Sequence, residues 1–457
     1  MKNTLARRAW WSLALLLVAA LLWLWAAPPN LIRVGAGYAA KIVCSSVFIS
    51  GRDPHQVLQD DVQSPGHPLL RLMRVSVDRE QRTVRAGLFG FAGDGLAVAR
   101  DGTGCATVPD GDLARARAHT APALPPAAPR PGRWPEGDEV GEAAPTLAAL
   151  LADPALAGPG MRALVVLHRG RIVAERYGEG FDAATPLLGW SMTKTVTAAL
   201  IGTLVRDGRI DVERDALFPA RAGDERRRIA MANLLSMSSG LSFSEDYGSV
   251  TDVTRMLYLE PDMAAFARQQ PLAQPVGTFF NYSSGSSVLL ARLWQDAAPG
   301  AALAWPRQAL FDPLGMRSAV MEADARGTFV GSSYLYATGR DWARFALCLL
   351  QDGKWQGRAL LPAGWVARMR MPSKAAPQAY SEGQMWLHGP RAGTPSVQNP
   401  DAGFQLPADT VWMNGHDGQA IALVPSRQLA VVQLGLTPAK LQHRPQRLVE
   451  ALLRALP

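Results

Sequence analysis

Ser191 and Lys194 lie three residues apart in the stretch PLLGWSMTKTVT, where the pattern predicts the start of a helix. Residues at this spacing share one face of a helix, so the hydroxyl and the amine can touch. The first turn of a helix has unpaired N–H groups and a positive field, which stabilise a serine alkoxide. A lysine buried among apolar side chains has a lowered pKa and can accept the hydroxyl proton. The pair therefore predicts a nucleophilic serine with a lysine base, and the alternative is an ordinary helix start with its lysine in water.

Lysine is scarce in this chain, which strengthens the prediction. Only six of the 47 basic residues are lysines, and Lys194 alone has a serine three positions before it.

Two later stretches carry further reactive groups. Tyr282 stands in FNYSSGSS, after a glycine-containing turn and before a helical pattern, so its hydroxyl could relay a proton to a leaving group. A role in the core is the alternative. His416, Asp417 and Gly418 form a turn before the apolar strand AIALVP, and a strand edge beside the nucleophile can donate a backbone N–H to an oxyanion. A hairpin turn with a surface histidine is the alternative there.

The order and spacing of these motifs resemble those of the serine β-lactamase and penicillin-recognising hydrolase superfamily. The resemblance is closest to its class C-like branch of esterases, DD-peptidases and 6-aminohexanoate-dimer hydrolases, and it covers roughly residues 145–457. Further stretches that match are LLSMSSGL (234–241), SEDYG (244–248), FDPLGM (311–316) and ATGRDWARF (337–345).

The resemblance implies a role for each motif. Ser191 would be acylated, Lys194 would be its base or would keep Tyr282 poised, and Tyr282 would protonate the leaving group and help activate the deacylating water. The backbone N–H groups of Ser191 and Gln419 would form the oxyanion hole. A structural role is an equal alternative for Tyr247. The residues implied to contact substrate are Tyr247, Ser284, His416, Asp417 and Gly418.

Two departures from the superfamily pattern narrow the expected substrate. The usual Tyr-x-Asn is replaced by Tyr282-Ser283-Ser284, and the usual Lys-Thr-Gly is replaced by His-Asp-Gly. Because a histidine side chain is mostly neutral at pH 7, no fixed positive charge meets a substrate carboxylate. We therefore expect an exported serine hydrolase, an amidase or esterase acting on a small amide or ester, rather than an efficient β-lactamase. The alternative is a binding or sensory module that kept the fold without turnover.

The N-terminus predicts a membrane anchor within residues 1–30. Residues 9–27 carry no charge, and Lys2, Arg7 and Arg8 precede them. This run approaches the ~20 apolar residues that span a bilayer, and its positive flank leaves the rest of the chain on the extracytoplasmic, periplasmic side. A cleaved signal peptide is the alternative, although the apolar core of such peptides is usually only ~7–15 residues long.

The remaining pattern predicts an α+β fold of the β-lactamase type, preceded by a small β-rich unit. Residues 38–108 contain four predicted strands, including IVCSSVFIS (42–50), and the Ala/Pro-rich stretch 119–136 is a predicted linker. In residues 144–457, hairpins near both ends flank a helical middle. This order predicts one antiparallel sheet flanked by helices, with an inserted all-helical lobe.

The three cysteines bear on the compartment. Export permits disulfides, and pairing Cys44 with Cys105 would close the β-rich unit on itself. In the chain-entropy model this bridge contributes about 4 kcal/mol of stabilisation. Cys348 lies on an apolar helical stretch and is predicted to be a buried free thiol.

Other kinds of site find no support in the sequence. The net charge is +8, but the basic residues are scattered except at 225–228, so no nucleic-acid partner is expected. No histidine pair has ligand spacing on a helix and no phosphate-binding glycine loop occurs, so neither a metal nor a cofactor is expected. The expected partners are a small-molecule amide or ester substrate and the membrane, and the sequence does not indicate an oligomeric state.

Overall fold

Two antiparallel sheets, one of four strands and one of five, form the framework of the fold. The computed structural model describes residues 2–124, 129–215, 217, 223–392, 394–395 and 398–457. Its α-helices are α1 (Lys2–Ala26), α2 (Asn30–Phe48), α3 (Pro54–Val57), α4 (Leu113–Arg117), α5 (Pro145–Ala152), α6 (Pro154–Ala157), α7 (Thr193–Arg206), α8 (Met231–Leu235), α9 (Asp252–Leu259), α10 (Met263–Arg268), α11 (Ser284–Ala297), α12 (Asp312–Leu314), α13 (Gly339–Leu350), α14 (Trp365–Arg370) and α15 (Gln446–Ala455). Its strands are β1 (Met73–Asp78), β2 (Thr83–Leu88), β3 (Ala92–Arg100), β4 (Gly104–Thr107), β5 (Met161–His168), β6 (Arg171–Tyr177), β7 (Leu187–Leu188), β8 (Val320–Met321), β9 (Leu335–Ala337), β10 (Lys354–Trp355), β11 (Arg358–Ala359), β12 (Val411–Asn414), β13 (Ala420–Val424) and β14 (Leu429–Gly435).

The five-stranded sheet runs in the order β12-β13-β14-β5-β6, and every neighbouring pair is antiparallel. Successive residues of its central strands point to opposite faces, as the two-residue repeat of a strand requires. Val165 and Val432 face the main core, whereas Val166 and Val431 face a second core formed with α5 and α15. The predicted antiparallel sheet, its two hairpins and the helices that flank it are therefore confirmed.

The middle of the chain is mostly helical, but the predicted all-helical lobe is wrong in one respect. The short strands β8 and β9 pair with each other, and β9 also pairs with β7. Strands of two or three residues are too short to show an alternating pattern, so the sequence did not reveal them. The Gly189 N–H donates to the Leu335 carbonyl at 2.9 Å, which ties this small sheet to the turn that carries Ser191.

Residues 42–48 of the predicted strand 42–50 are helical instead, and residues 49–50 form a turn. The helical residues form the end of α2, which packs on the four-stranded sheet β1-β2-β3-β4. A short apolar run rich in β-branched residues cannot be told from a buried helix by periodicity alone. Small residues permit the packing, because a Cβ added to Gly95 would lie only 2.2 Å from the Ala36 carbonyl oxygen. The strand that completes the sheet is β4, which the sequence analysis did not identify.

Glu322 joins this N-terminal region to the rest of the chain. Its buried carboxylate accepts hydrogen bonds from the Lys41 ammonium at 2.5 Å, from the Ser45 hydroxyl at 2.8 Å and from the Cys105 N–H at 2.6 Å. A buried charge is tolerated only when it is paired and hydrogen-bonded, so these groups hold one another in place. The N-terminal region and the body also share one continuous apolar core.

The predicted linker, 119–136, is packed on the body at its C-terminal end. Trp134 is 1% exposed, and the Arg344 guanidinium lies 5.6 Å from the centre of its ring. Arg344 also donates to the Pro135 carbonyl. Burial of this tryptophan anchors residues that composition alone assigns to a free spacer, while residues 125–128 lie outside the described part of the chain.

Two N-terminal helices bear on the predicted anchor. Residues Trp10–Ala26 of α1 form an apolar helix with exposed side chains, such as Trp10 at 74% and Leu16 at 68%. Among the described residues, α2 alone is long and apolar enough to cross a membrane by length and composition. However, 78% of that stretch is buried inside the protein, as in a core helix.

The predicted disulfide joins α2 to β4. Cys44 and Cys105 are bonded to each other with their Cα atoms 6.1 Å apart, and Cys348 is a buried free thiol, as predicted. Burial raises the pKa of the Cys348 thiol to about 12, which suppresses its reactive thiolate form.

We expect denatured, unreduced protein from exporting cells to show one thiol per chain in a titration with a thiol reagent, and three thiols after reduction. The Cys348→Ala variant is the matched control and should show none before reduction and two afterwards. Three reactive thiols without reduction would mean that the bridge does not form in the cell.

Candidate active site

Lys194 is buried at the start of α7 and meets three neutral oxygen atoms. Its Nζ lies 3.1 Å from Ser191 Oγ, 3.1 Å from Ser284 Oγ and 3.0 Å from the Ser332 carbonyl oxygen. Burial lowers the pKa of Lys194 to about 8, and the negative charge of Glu245 partly opposes this shift. Desolvation disfavours the ammonium form, so part of the lysine is a free amine near neutral pH. Such an amine, in contact with a serine hydroxyl, can act as a general base.

Glu245 supports the lysine through Ser284. Its carboxylate accepts the Ser284 hydroxyl at 2.5 Å and the Ser284 N–H at 2.8 Å. The N–H belongs to the first residue of α11, where a carboxylate is favoured by unpaired donors and by the helix dipole. Because its proton goes to Glu245, the Ser284 hydroxyl presents an oxygen lone pair to Lys194. The carboxylate thus orients the lysine through one intervening hydroxyl.

Tyr282 lies on the other side of the lysine. Its ring centre is 4.8 Å from Lys194 Nζ, and its hydroxyl lies close to Ser191 and to Trp386. Burial, reinforced by the charge of Glu245, raises the pKa of Tyr282 above its ordinary value. The phenol therefore stays protonated near neutral pH and can donate its proton toward the Ser191 hydroxyl.

The backbone around Ser191 is strained. Ser191 lies in a 3₁₀ turn, Trp190–Met192, that continues directly into α7. Trp190 has a φ of +47°, a region that bulky residues seldom adopt. Strain of this kind persists where packing holds a group in place, and it clusters at functional sites. Here it presents the half-buried Ser191 hydroxyl to Lys194 and Tyr282.

The turn before β13 packs against the Ser191 turn. A Cβ added to Gly415 would lie 2.4 Å from the Gly189 carbonyl oxygen, so the two backbones are in direct contact. The Gln419 side chain accepts the Gly435 N–H at 2.9 Å, which anchors this residue to β14. The structure therefore brings together the two segments whose N–H groups, those of Ser191 and Gln419, are the expected oxyanion donors.

Three aromatic rings line one side of the cleft. The Tyr247 ring stacks on His416 with the ring centres 4.8 Å apart, and the Trp190 ring meets the edge of His416 at 5.3 Å. The Tyr247 hydroxyl lies close to Ser284. Tyr247 therefore extends from Ser284, which supports Lys194, to His416 on the open side of the cleft.

Asp417 and Gly418 give the turn its shape. Asp417 has a φ of +55° and Gly418 a φ of +88°, both in the left-handed region that favours glycine. A Cβ added to Gly418 would lie 2.7 Å from the Thr437 carbonyl oxygen, so a larger residue would displace the turn. The Asp417 carboxylate is largely buried and lies 3.5 Å from His416 Nε2.

The structure changes the expected role of Ser284 and adds residues that the sequence analysis missed. Ser284 is fully buried, and its hydroxyl is hydrogen-bonded to Lys194 and Glu245. It therefore supports the lysine rather than facing a substrate. Glu245 was overlooked although it stands two residues before Tyr247 in the quoted SEDYG stretch. Trp386 and the Ser332 carbonyl have no sequence signal, because neither stands in a motif.

Comparisons with known proteins agree with this geometry. The Beta-lactamase family model matches residues 149–447, more than half of the chain. The 6-aminohexanoate-dimer hydrolase of Paenarthrobacter ureafaciens is 23% identical over 292 residues, covering 58% of this chain and 72% of that protein.

Two solved structures share the fold. One, a proposed 6-aminohexanoate-dimer hydrolase from Bacillus anthracis, has a TM-score of 0.54 and 22% identity, covering 68% of this chain and 82% of that one. The other, a penicillin-binding protein homologue from Caulobacter crescentus, has a TM-score of 0.51 and 16% identity, covering 69% and 99%. The chain therefore belongs to the β-lactamase family, within the serine β-lactamase and penicillin-recognising superfamily.

Proposed function

We propose that this protein is a serine hydrolase that cleaves small amide or ester bonds through an acyl-enzyme on Ser191. The observation that carries the proposal is the contact of the Ser191 hydroxyl with a buried amine, Lys194 Nζ, at 3.1 Å. The Tyr282 hydroxyl lies close to the same serine. The family relationship to hydrolases supports it.

In the acylation step, the free amine of Lys194 takes the Ser191 proton as Oγ attacks the carbonyl carbon of the substrate. The negative charge that develops on the carbonyl oxygen is stabilised by the N–H groups of Ser191 and Gln419, since such donors stabilise oxyanions without reorganisation. The bond to the leaving group then breaks. Tyr282 gives its proton to the departing amine or alcohol and regains one from the Lys194 ammonium.

In the deacylation step, water attacks the ester carbon of acylated Ser191. The proton of the attacking water passes to the Tyr282–Lys194 pair. The same pair gives a proton to the departing Ser191 Oγ, which restores the resting enzyme. The substrate-facing turn offers His416 where penicillin-recognising enzymes usually have a lysine, so uncharged amides and esters are the proposed substrates rather than β-lactams.

We also propose that α1 anchors the protein in the cytoplasmic membrane with the body on the periplasmic side. The exposed apolar side chains of Trp10–Ala26 support this proposal, because they are not covered by any other described part of the protein. The Cys44–Cys105 disulfide supports export, since such bonds persist in oxidising compartments.

Ser191→Ala should abolish labelling by a fluorophosphonate probe and lower hydrolysis of p-nitrophenyl acetate by about 10³-fold or more. The fold should survive, because no side-chain capping bond is present at the start of α7. Ser242→Ala is the matched control, a half-buried serine of the body outside the site. Labelling retained by Ser191→Ala would identify a different nucleophile. Labelling of the unaltered protein without steady turnover would favour the binding or sensory alternative.

The pH dependence of kcat/KM should follow the deprotonation of Lys194. Since the amine must be neutral to act as a base, kcat/KM should rise with pH and level off above a midpoint near the pKa of about 8. Glu245→Gln removes the charge that raises this pKa, so the midpoint should move to lower pH, whereas Asp246→Asn, an exposed neighbour, should leave it in place. A midpoint well above 8 would contradict Lys194 as the first base and favour Tyr282, whose pKa burial and the charge of Glu245 hold above its ordinary value.

Two charges within α1 should release the protein from the membrane. Each arginine near the middle of a membrane helix raises the free energy of insertion by about 2.5–3.5 kcal/mol. The double variant Leu16→Arg, Val18→Arg should therefore appear in the supernatant of an alkaline carbonate extraction. Phe89→Arg, at another exposed apolar residue, should stay in the membrane pellet. A body that resists protease added to spheroplasts would contradict the proposed orientation.

A further inference from the structure

An apolar pocket adjoins the cleft, and the N-terminal region builds one of its walls. The cavity measures about 130 Å³. Leu31 and Val34 of α2, Leu69 of the following connection and Met73 of β1 are among its lining residues. The aromatic rings of the cleft, those of Trp190, Tyr247 and His416, also line it.

The wall is built by residues outside the part of the chain that matches the family model, 149–447. It is nevertheless rigidly placed. Lys41 and Ser45 of α2 bind the buried Glu322 carboxylate, and the Cys44–Cys105 bridge ties the same helix to β4. A wall held by a buried ion pair and a disulfide is a preformed part of the pocket, as small-molecule sites usually are.

From this arrangement we infer that the pocket is an acyl subsite, in which α2, residues 65–70 and Met73 bind an uncharged apolar acyl chain of about six carbons. The inference rests on the proposed function, and it adds the class of substrate that the enzyme prefers.

The position of the pocket assigns it to the acyl side of the scissile bond. The leaving group must depart toward its proton donor, Tyr282, which packs among Tyr380 and Trp386. None of these three residues lines the pocket. The pocket lies instead beside Trp190, which directly precedes the nucleophile, and beside the turn that leads to the expected oxyanion donor Gln419.

Charge and size define the chain that fits. The pocket lining contains no lysine or arginine, so it offers no fixed positive charge to an anionic chain end, and the Asp417 carboxylate would repel one. The other titratable side chains of the lining are Tyr38, His67, Tyr247, Tyr258 and His416. A cavity of about 150 Å³ lined by apolar side chains accommodates a benzene ring, which sets the capacity of this pocket near six carbons. Each methylene buried there should raise kcat/KM about fourfold.

The test compares p-nitrophenyl esters of increasing acyl length on the full-length protein. From acetate to hexanoate we expect kcat/KM to rise on the order of 100-fold, and then to level off or fall for longer chains. The p-nitrophenyl monoester of adipic acid has the same length as hexanoate but ends in a carboxylate, and it should react at least about tenfold more slowly than hexanoate.

A matched pair of variants connects this preference to the N-terminal wall. Leu69→Trp fills the pocket and should lower the ratio of kcat/KM for hexanoate to kcat/KM for acetate to near one. Leu72→Trp is the control, because Leu72 lies three residues away, is 37% exposed and does not line the pocket. Leu69→Ala enlarges the pocket and should move the optimum to a longer chain.

Binding to the Ser191→Ala variant separates this inference from the proposed function. Hexanoate ester should bind more tightly than acetate ester, and Leu69→Trp should remove the difference. Suppose that acetate is turned over and that this turnover depends on Ser191. A flat chain-length profile, or equal effects of Leu69→Trp and Leu72→Trp, would then overturn the acyl subsite alone. No turnover of any ester, with chain-length-dependent binding intact, would overturn the hydrolase and keep the pocket. If neither ester turnover nor chain-length-dependent binding is observed, the hydrolase and the acyl subsite are both overturned.

Discussion

The desolvation of one lysine is the constraint on which the candidate catalytic machinery depends. Two lysines of this chain are almost completely buried, Lys41 and Lys194. Lys41 touches the Glu322 carboxylate directly at 2.5 Å, and the pair stabilises the packing of α2 on the body. Lys194 has only neutral oxygens in contact, and its nearest carboxylate, Glu245, is one hydroxyl further away. Burial lowers the pKa of both amines, but Lys41 is paired with a carboxylate, whereas Lys194 touches the serine hydroxyl from which it can accept a proton.

The N-terminal region is an integral part of the fold rather than an appendage. Its helix α2 shares the main apolar core, and the buried carboxylate of Glu322 holds it from the side of the body. This packing gives a reason for the disulfide, which joins α2 to the sheet beneath it. It also closes one side of the pocket next to Trp190. A domain of the β-lactamase type has thus acquired a wall from residues that precede it in the chain.

Most of the body could be predicted from the sequence, because its strands and helices have clear local patterns and its motifs resemble those of a known superfamily. The hairpins β5–β6 and β13–β14, the helices α5 and α15 and the start of α7 lie where the pattern indicates. Errors occurred where local pattern is ambiguous or too short. Residues 42–50 have a strand-like composition, but residues 42–48 form the end of a helix, since packing on β3 decides between the two. The strands β7, β8 and β9 have too few residues to show a period.

Residue type and spacing by themselves determined which groups carry chemistry: a serine and a lysine on one helical face, a tyrosine before a second helix, and a glycine-rich turn before a strand. These choices are local, because they depend on three or four neighbouring positions. Only the tertiary structure decided their environment. It buried Lys194, placed Glu245 behind Ser284, and set α2 beside Trp190. Burial and contacts between residues a hundred positions apart follow from the packing of the whole chain, which no local stretch of sequence encodes.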